Sequence, residues 1–180
     1  MDNRLNASSA QAEPQPGLRL NLGCGNDIRD GYVNVDDVSS NHVLSDRLIK
    51  ADLNQFPWPF ADNSADEILM WHVLEHLPDT YKVMTEIKRI LKPGGFFWGQ
   101  VPYAWSYSSF SHPQHYRHFT EQSFQKLGED FKMEWKAKNG RVSAGWKWRI
   151  RNIFLPGRIM EIIGLNNSYD VVDFKMTKRK

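Results

Sequence analysis

The sequence predicts an α/β domain built on a mostly parallel sheet. Three observations carry that expectation. Short apolar segments alternate with segments of helical period. The first apolar segment runs straight into a Gly-x-Gly turn. Residues suited to ligand binding, Gly23, Asp36, Asp52, Trp71 and Pro102, fall at the ends of segments that read as strands, where open α/β sheets bind ligands.

Leu18, Leu20 and Leu22 alternate as a buried strand does, and Val33-Asn-Val-Asp36 reads as a short second strand. Leu48 to Asp52 forms a third. Phe56-Pro-Trp-Pro-Phe60 cannot be a central strand, because its prolines lack donors. Asp62-Asn-Ser-Ala is turn chemistry, followed by a compact apolar strand over Glu67 to Trp71. Val83, Met84, Ile87, Ile90 and Leu91 lie on one face of a helix over Thr80 to Leu91. Pro93-Gly94-Gly95 stops that helix and turns into a strand from Phe96 to Val101. Thr120 is an N-cap for a helix ending near Gly128. Phe131, Met133 and Trp135 alternate as a further strand, and Tyr169 to Met176 supplies the last.

The turn at Gly23 and Gly25 lacks the Cβ atoms that would hold a ligand off the backbone. Asp36, or Asp37 one residue on, is placed to accept hydrogen bonds from ribose hydroxyls. A dinucleotide site needs a third glycine and an acid about 20 residues on. Here that third position is Ile28, and Asp36 follows Gly25 by only eleven residues. A phosphate-cradling P-loop is also excluded, since no Gly-Lys-Ser/Thr follows. A ligand without phosphates fits this variant better.

A chain of 180 residues suits one domain, able to bury about 70% of its unfolded surface. It has no apolar run long enough to span a bilayer. Met1 to Gly17 is polar, contains Pro14 and Pro16, and reads as a disordered lead-in to a single domain over residues 18–180. Cys24 is the only cysteine, which excludes a disulfide framework and a cysteine-based metal site. A cytoplasmic location is the default. Residues 1–90 carry a net charge of −6 and residues 91–180 one of +8. The acidic half suits a cationic ligand; the basic half is either ordinary surface or a face for an anionic partner.

Taken together, Asn21-Leu-Gly-Cys-Gly25, Val33-Asn-Val-Asp36, Ala51-Asp52-Leu, Phe60-Ala-Asp-Asn-Ser-Ala-Asp66, His72-Val-Leu-Glu-His76-Leu and Leu91-Lys-Pro-Gly-Gly95 resemble class I S-adenosylmethionine (SAM)-dependent methyltransferases in order and spacing. The chain is most similar to their small bacterial type-11-like branch, whose members often lie among glycan or lipopolysaccharide synthesis enzymes. His115-Tyr-Arg-His118-Phe-Thr also resembles a segment of that branch. The resemblance spans residues 18–128 and implies a Rossmann-like, seven-stranded sheet. It implies that Gly23, Cys24 and Gly25 pack against the methionyl part of SAM. Asp36 would bind the ribose, Asp52 and Leu53 the adenine, and Trp71 and His72 would flank the methionine. The linker from Asn26 to Tyr32 is too short for the usual crossover helix, so the first helix is shortened or absent.

His72-Val-Leu-Glu75-His76 also fits an inverted zinc-protease pattern. That pattern needs a helix starting before His72, yet a strand runs up to Trp71, so Glu75 and His76 read as anchors of the following turn. His112, His115 and His118 cluster among Tyr103, Trp105, Tyr107 and Tyr116, in a segment that reads as a substrate lid. Methyl transfer to a hydroxyl needs alignment, water exclusion and a base. His115 and His72 are the candidates; bonding within the loop is the plainer role. No metal ligands are assigned, and a divalent ion held by the lid histidines for a sugar diol is the lesser alternative. Arg141 to Arg158 mixes Trp146, Trp148 and Phe154 with basic residues and contains no acid. Packing on the sheet explains it, with peripheral membrane contact second and nucleic acid third. The chain therefore reads as a methyltransferase acting on a small molecule, with a carbohydrate hydroxyl as the leading acceptor. A non-catalytic SAM-binding or protein-interaction module is the alternative.

Overall fold

A computed structural model describes residues 17–37, 48–138 and 171–180. The lead-in up to residue 16 and the basic aromatic segment 141–158 lie outside the described residues. The strands are β1 (Leu18–Leu22), β2 (Val33–Asp36), β3 (Leu48–Lys50), β4 (Ala65–Trp71), β5 (Leu91–Pro102), β6 (Phe131–Lys138) and β7 (Val171–Lys178). They form one seven-stranded sheet in the order β3-β2-β1-β4-β5-β7-β6. Strands β1 to β5 pair in parallel, and only β7 runs antiparallel to its neighbours. The order reverses between β1 and β4, which opens a crevice at their carboxyl ends.

Helix α1 (Thr80–Ile90) is capped by Asp79, whose side chain accepts from the Lys82 N–H. It buries Val83, Met84, Ile87 and Ile90 against Leu20, Ile68, Met70 and Phe97 of the sheet. Helix α3 (Glu121–Leu127) begins in a reciprocal box between Thr120 and Ser123 and ends at Gly128, as the sequence suggests. Two expectations about strands are corrected. Strand β3 stops at Lys50 instead of reaching Asp52, because the Asp52 carboxylate accepts the Asn54 N–H at 2.8 Å and bends the chain out of the sheet. Strand β5 begins at Leu91, directly after α1. Leu91 pairs with Ala65 and Phe96 with Glu67, so Lys92 to Gly95 bulge within the strand instead of separating it from the helix. A short helix α2 (Tyr107–Ser111), capped by Ser106, has no counterpart in the sequence reading.

No helix links β1 to β2. Two buried amides take over its bracing role. Asn21 Nδ2 donates to the Asp27 carbonyl at 2.7 Å and to Asn34 Oδ1 at 2.9 Å, while Asn34 Oδ1 also accepts the Arg29 N–H at 3.0 Å. These bonds satisfy loop groups that a helix would otherwise pair. The link from β3 to β4 is also a loop. Arg89 of α1 ties it down by donating to the carbonyls of Phe60 and Trp58. That leaves Trp58 2% exposed and sets Leu53 at the crevice. No described helix is long and apolar enough to cross a membrane.

Candidate active site

The crevice holds a cavity of about 490 Å³, within the usual range for small-molecule sites. One end is formed by strand termini: Gly23 after β1, Asp36 and Asp37 at β2, and Asp52 and Leu53 after β3. Val73 of the turn after β4 lies against Gly23, and the rest of the lining comes from His76 and Leu77 of that turn with Gln114 and Tyr116. Among these lining residues are three carboxylates and no lysine or arginine. The cavity therefore favours a cationic ligand rich in donors. A phosphate would find neither a basic side chain nor a helix N-terminus behind the glycine turn.

Gly23 has a φ of +69°, and a Cβ there would meet the Val73 side chain at 2.6 Å. Glycine is thus fixed by backbone conformation and by the close approach of the β4 turn. Its N–H donates to the Val35 carbonyl at 2.8 Å. The Gly25 N–H donates to Asp36 Oδ2 at 2.6 Å, so this carboxylate braces the glycine turn with one oxygen. Cys24 is 5% exposed, and burial foremost, helped by the nearby Asp36, pushes its thiol up to about 11. It is a packed, protonated thiol in the turn.

Gly23, Asp36, Asp52 and Leu53 therefore share the cavity, whereas Cys24, Gly25, Trp71, His72 and His115 lie outside its lining. Trp71 packs edge-on against Trp98, and Arg29 reaches over both rings at 5.9 Å. His72 takes a φ of +55°, a strained value for this residue type. Its Nδ1 lies 3.2 Å from Glu75 Oε1 and its Nε2 2.9 Å from Gln100 Oε1. Gln100 Nε2 donates to Asp173 Oδ1 at 2.6 Å, which fixes the amide orientation. Both ring nitrogens of His72 thus face acceptors. The hydrogen bond to Glu75, itself only 1% exposed, raises the His72 pKa, against the opposing effect of burial. The ring is engaged within the fold at both nitrogens, and the residue lies outside the cavity lining.

His72 and His76 do not share a site, because only a single 3₁₀ turn (Leu74–His76) follows β4. His76 Nδ1 instead meets the Gln114 carbonyl at 3.1 Å, and its ring packs against His112 and His115. Burial lowers its pKa, with Glu75 opposing and His115 adding to the effect. The expected trio of lid histidines is corrected: His118 turns away, with its Nδ1 2.7 Å from Ser109 Oγ and its ring stacked on Phe110. Residues 112–118 are laced to the turn after β4. The Tyr116 N–H donates to the Glu75 carbonyl at 2.9 Å, and Arg117 Nε to the Pro78 carbonyl at 2.9 Å. Trp105, Tyr107, Phe110 and Tyr116 stand exposed beside it. Tyr116 belongs to the segment that reads as a lid, whereas no local pattern marks Val73, His76, Leu77 and Gln114 as lining residues.

A family model described as a methyltransferase domain matches residues 24–99, less than half of the chain. A sterol 24-C-methyltransferase of Pneumocystis carinii is 42% identical over 69 residues, covering 37% of this chain but 17% of the relative. A demethylmenaquinone methyltransferase of Listeria monocytogenes is 36% identical over 76 residues, covering 37% of this chain and 32% of the relative. The aligned segments are thus a minor part of both relatives. Among solved structures, a SAM-dependent methyltransferase of Archaeoglobus fulgidus superposes with a TM-score of 0.59 at 14% identity, covering 91% of this chain and 87% of that one. The seven-stranded sheet is the Rossmann-like fold of SAM-dependent methyltransferases.

Proposed function

We propose that this protein transfers the methyl group of SAM to a hydroxyl of a small molecule, with a carbohydrate as the leading acceptor class. One observation carries the reading: three strand-end carboxylates and a glycine turn converge on a cavity with no lysine or arginine in its lining. In this assignment the Gly23 backbone meets the methionyl part of SAM. The oxygen of Asp36 not bound to Gly25 accepts from the ribose, with Asp37 as the neighbouring alternative. Asp52 accepts from the adenine amino group, and Leu53 lies beside the ring. Cys24 and Gly25 shape the turn, while Trp71 and His72 support the site from outside the lining.

The acceptor then enters past Gln114 and Tyr116. Its oxygen forms a bond to the methyl carbon as the carbon–sulfur bond breaks, leaving S-adenosylhomocysteine and one proton to be removed. His76 lies at that end of the cavity with His115 packed against it, and in the metal-free protein His115 stays the candidate for proton removal. The exposed rings of Trp105, Tyr107 and Tyr116 suit stacking on a sugar face. The sterol and menaquinone names of the relatives support the coarser idea of a small-molecule acceptor. The test is methyl transfer from labelled SAM to a panel of glycosides, sterols and prenylated quinones. Label on a glycoside hydroxyl is the expected result. Label only on a sterol or quinone overturns the carbohydrate assignment, and cofactor binding without any transfer favours the non-catalytic module.

A further inference from the structure

His76, His112 and His115 each place one ring nitrogen within 4.8 Å of the others. We propose that these three histidines form a binding site for a divalent transition ion of the zinc class, at the edge of the cavity. The sequence keeps them far apart: His76 follows β4, while His112 and His115 follow α2. They meet because residues 112–118 are bonded back onto the turn after β4.

Hydrogen bonding prepares the rings. His76 Nδ1 faces the Gln114 carbonyl at 3.1 Å and His115 Nδ1 faces the Ser109 carbonyl at 3.0 Å. A carbonyl can only accept, so each Nδ1 carries the proton and each Nε2 keeps its lone pair. Metal-binding histidines are oriented in this way, with the far nitrogen donating to a backbone oxygen. His112 is the adjustable member. It is exposed, and its Nδ1 takes a long 3.3 Å bond from the Gln114 N–H, which it must give up for Nε2 to ligate. Three nitrogens about 2.1 Å from one tetrahedral ion stand roughly 3.4 Å apart. A pair at the 4.8 Å limit therefore closes by about 1.4 Å on binding.

Three imidazoles match the ligand set of a catalytic zinc site, which keeps a fourth position open. His76 lines the cavity, so that position is available to an oxygen of the acceptor, such as one of a vicinal diol. This use rests on the methyl-transfer reading; the binding of the ion does not.

The test is titration of the full-length, untagged protein with Co²⁺, followed by visible absorption and by displacement with Zn²⁺. The expected result is one ion per chain, with intense d–d bands that Zn²⁺ abolishes. His112→Ala and His115→Ala should each weaken binding at least tenfold, while His118→Ala, outside the cluster, should leave it unchanged. His112→Cys should retain the ion and add a thiolate-to-cobalt charge-transfer band, a signature that guards against a variant that merely misfolds. Binding no tighter in the wild type than in the His76/His112/His115 triple alanine variant overturns the site, as does wild-type affinity in both single alanine variants. No SAM is present, so failure of the methyl-transfer reading leaves this readout untouched.

Discussion

The two ends of the cavity are built by different means. The end assigned to the cofactor is made of strand termini: Gly23, Asp36 and Asp52 each lie at or just beyond the end of a parallel strand, so the sheet alone brings them together. The end proposed for the acceptor is made of a turn and a loop held by individual bonds, such as the Tyr116 N–H to the Glu75 carbonyl at 2.9 Å and Arg117 to the Pro78 carbonyl. Damage at the first end should therefore weaken cofactor binding. Damage at the second should spare the cofactor and impair the acceptor.

Asp36→Ala gives the largest expected effect. It removes the proposed ribose acceptor and leaves the Gly25 N–H without its 2.6 Å partner. The loss should be about 1–3 kcal/mol, or roughly 5- to 150-fold in affinity for S-adenosylhomocysteine, read by calorimetry. Unchanged affinity would move the ribose contact to Asp37.

Arg117→Ala comes next. It frees residues 112–118 from Pro78 while touching no cofactor-end residue, so the KM for the acceptor should rise several-fold. Affinity for S-adenosylhomocysteine should stay within about twofold, given the modest worth of exposed hydrogen bonds. A matching loss of cofactor affinity would erase the distinction between the two ends.

The smallest effect is a pH dependence. The pKa of His72 is raised in the folded state above 6.5 by its bond to Glu75, with Gln100 and Asp173 adding to it. Folding therefore favours proton uptake. The stabilisation is fully present below about pH 6.5 and is lost as pH rises through the folded-state value. The melting temperature should fall slightly over that window, and the fall should flatten in His72→Gln. An identical profile in that variant would show that Glu75 has another counter-charge.

This contrast also explains what the sequence reveals. The strand ends are legible because alternation and turn residues mark them locally, and the α1 face and the Thr120 cap are local signals too. The missing crossover helix is legible from linker length, but the means of replacing it is not. Asn21 and Asn34 read as ordinary polar residues until their strands pair. The exchange of His118 for His76 in the histidine cluster is equally hidden, since it depends on how the loop after β5 folds back. The raised pKa of His72 depends first on Glu75 and then on Gln100 and Asp173, from two other strands.

The most direct test of the cofactor end is calorimetric titration of the protein with S-adenosylhomocysteine, set beside NAD and ATP. The acidic, phosphate-excluding cavity predicts one S-adenosylhomocysteine per chain at micromolar affinity, weakened in Asp52→Ala, with no heat from either phosphate-bearing ligand. Binding of NAD or ATP at that affinity, with none of S-adenosylhomocysteine, would contradict it.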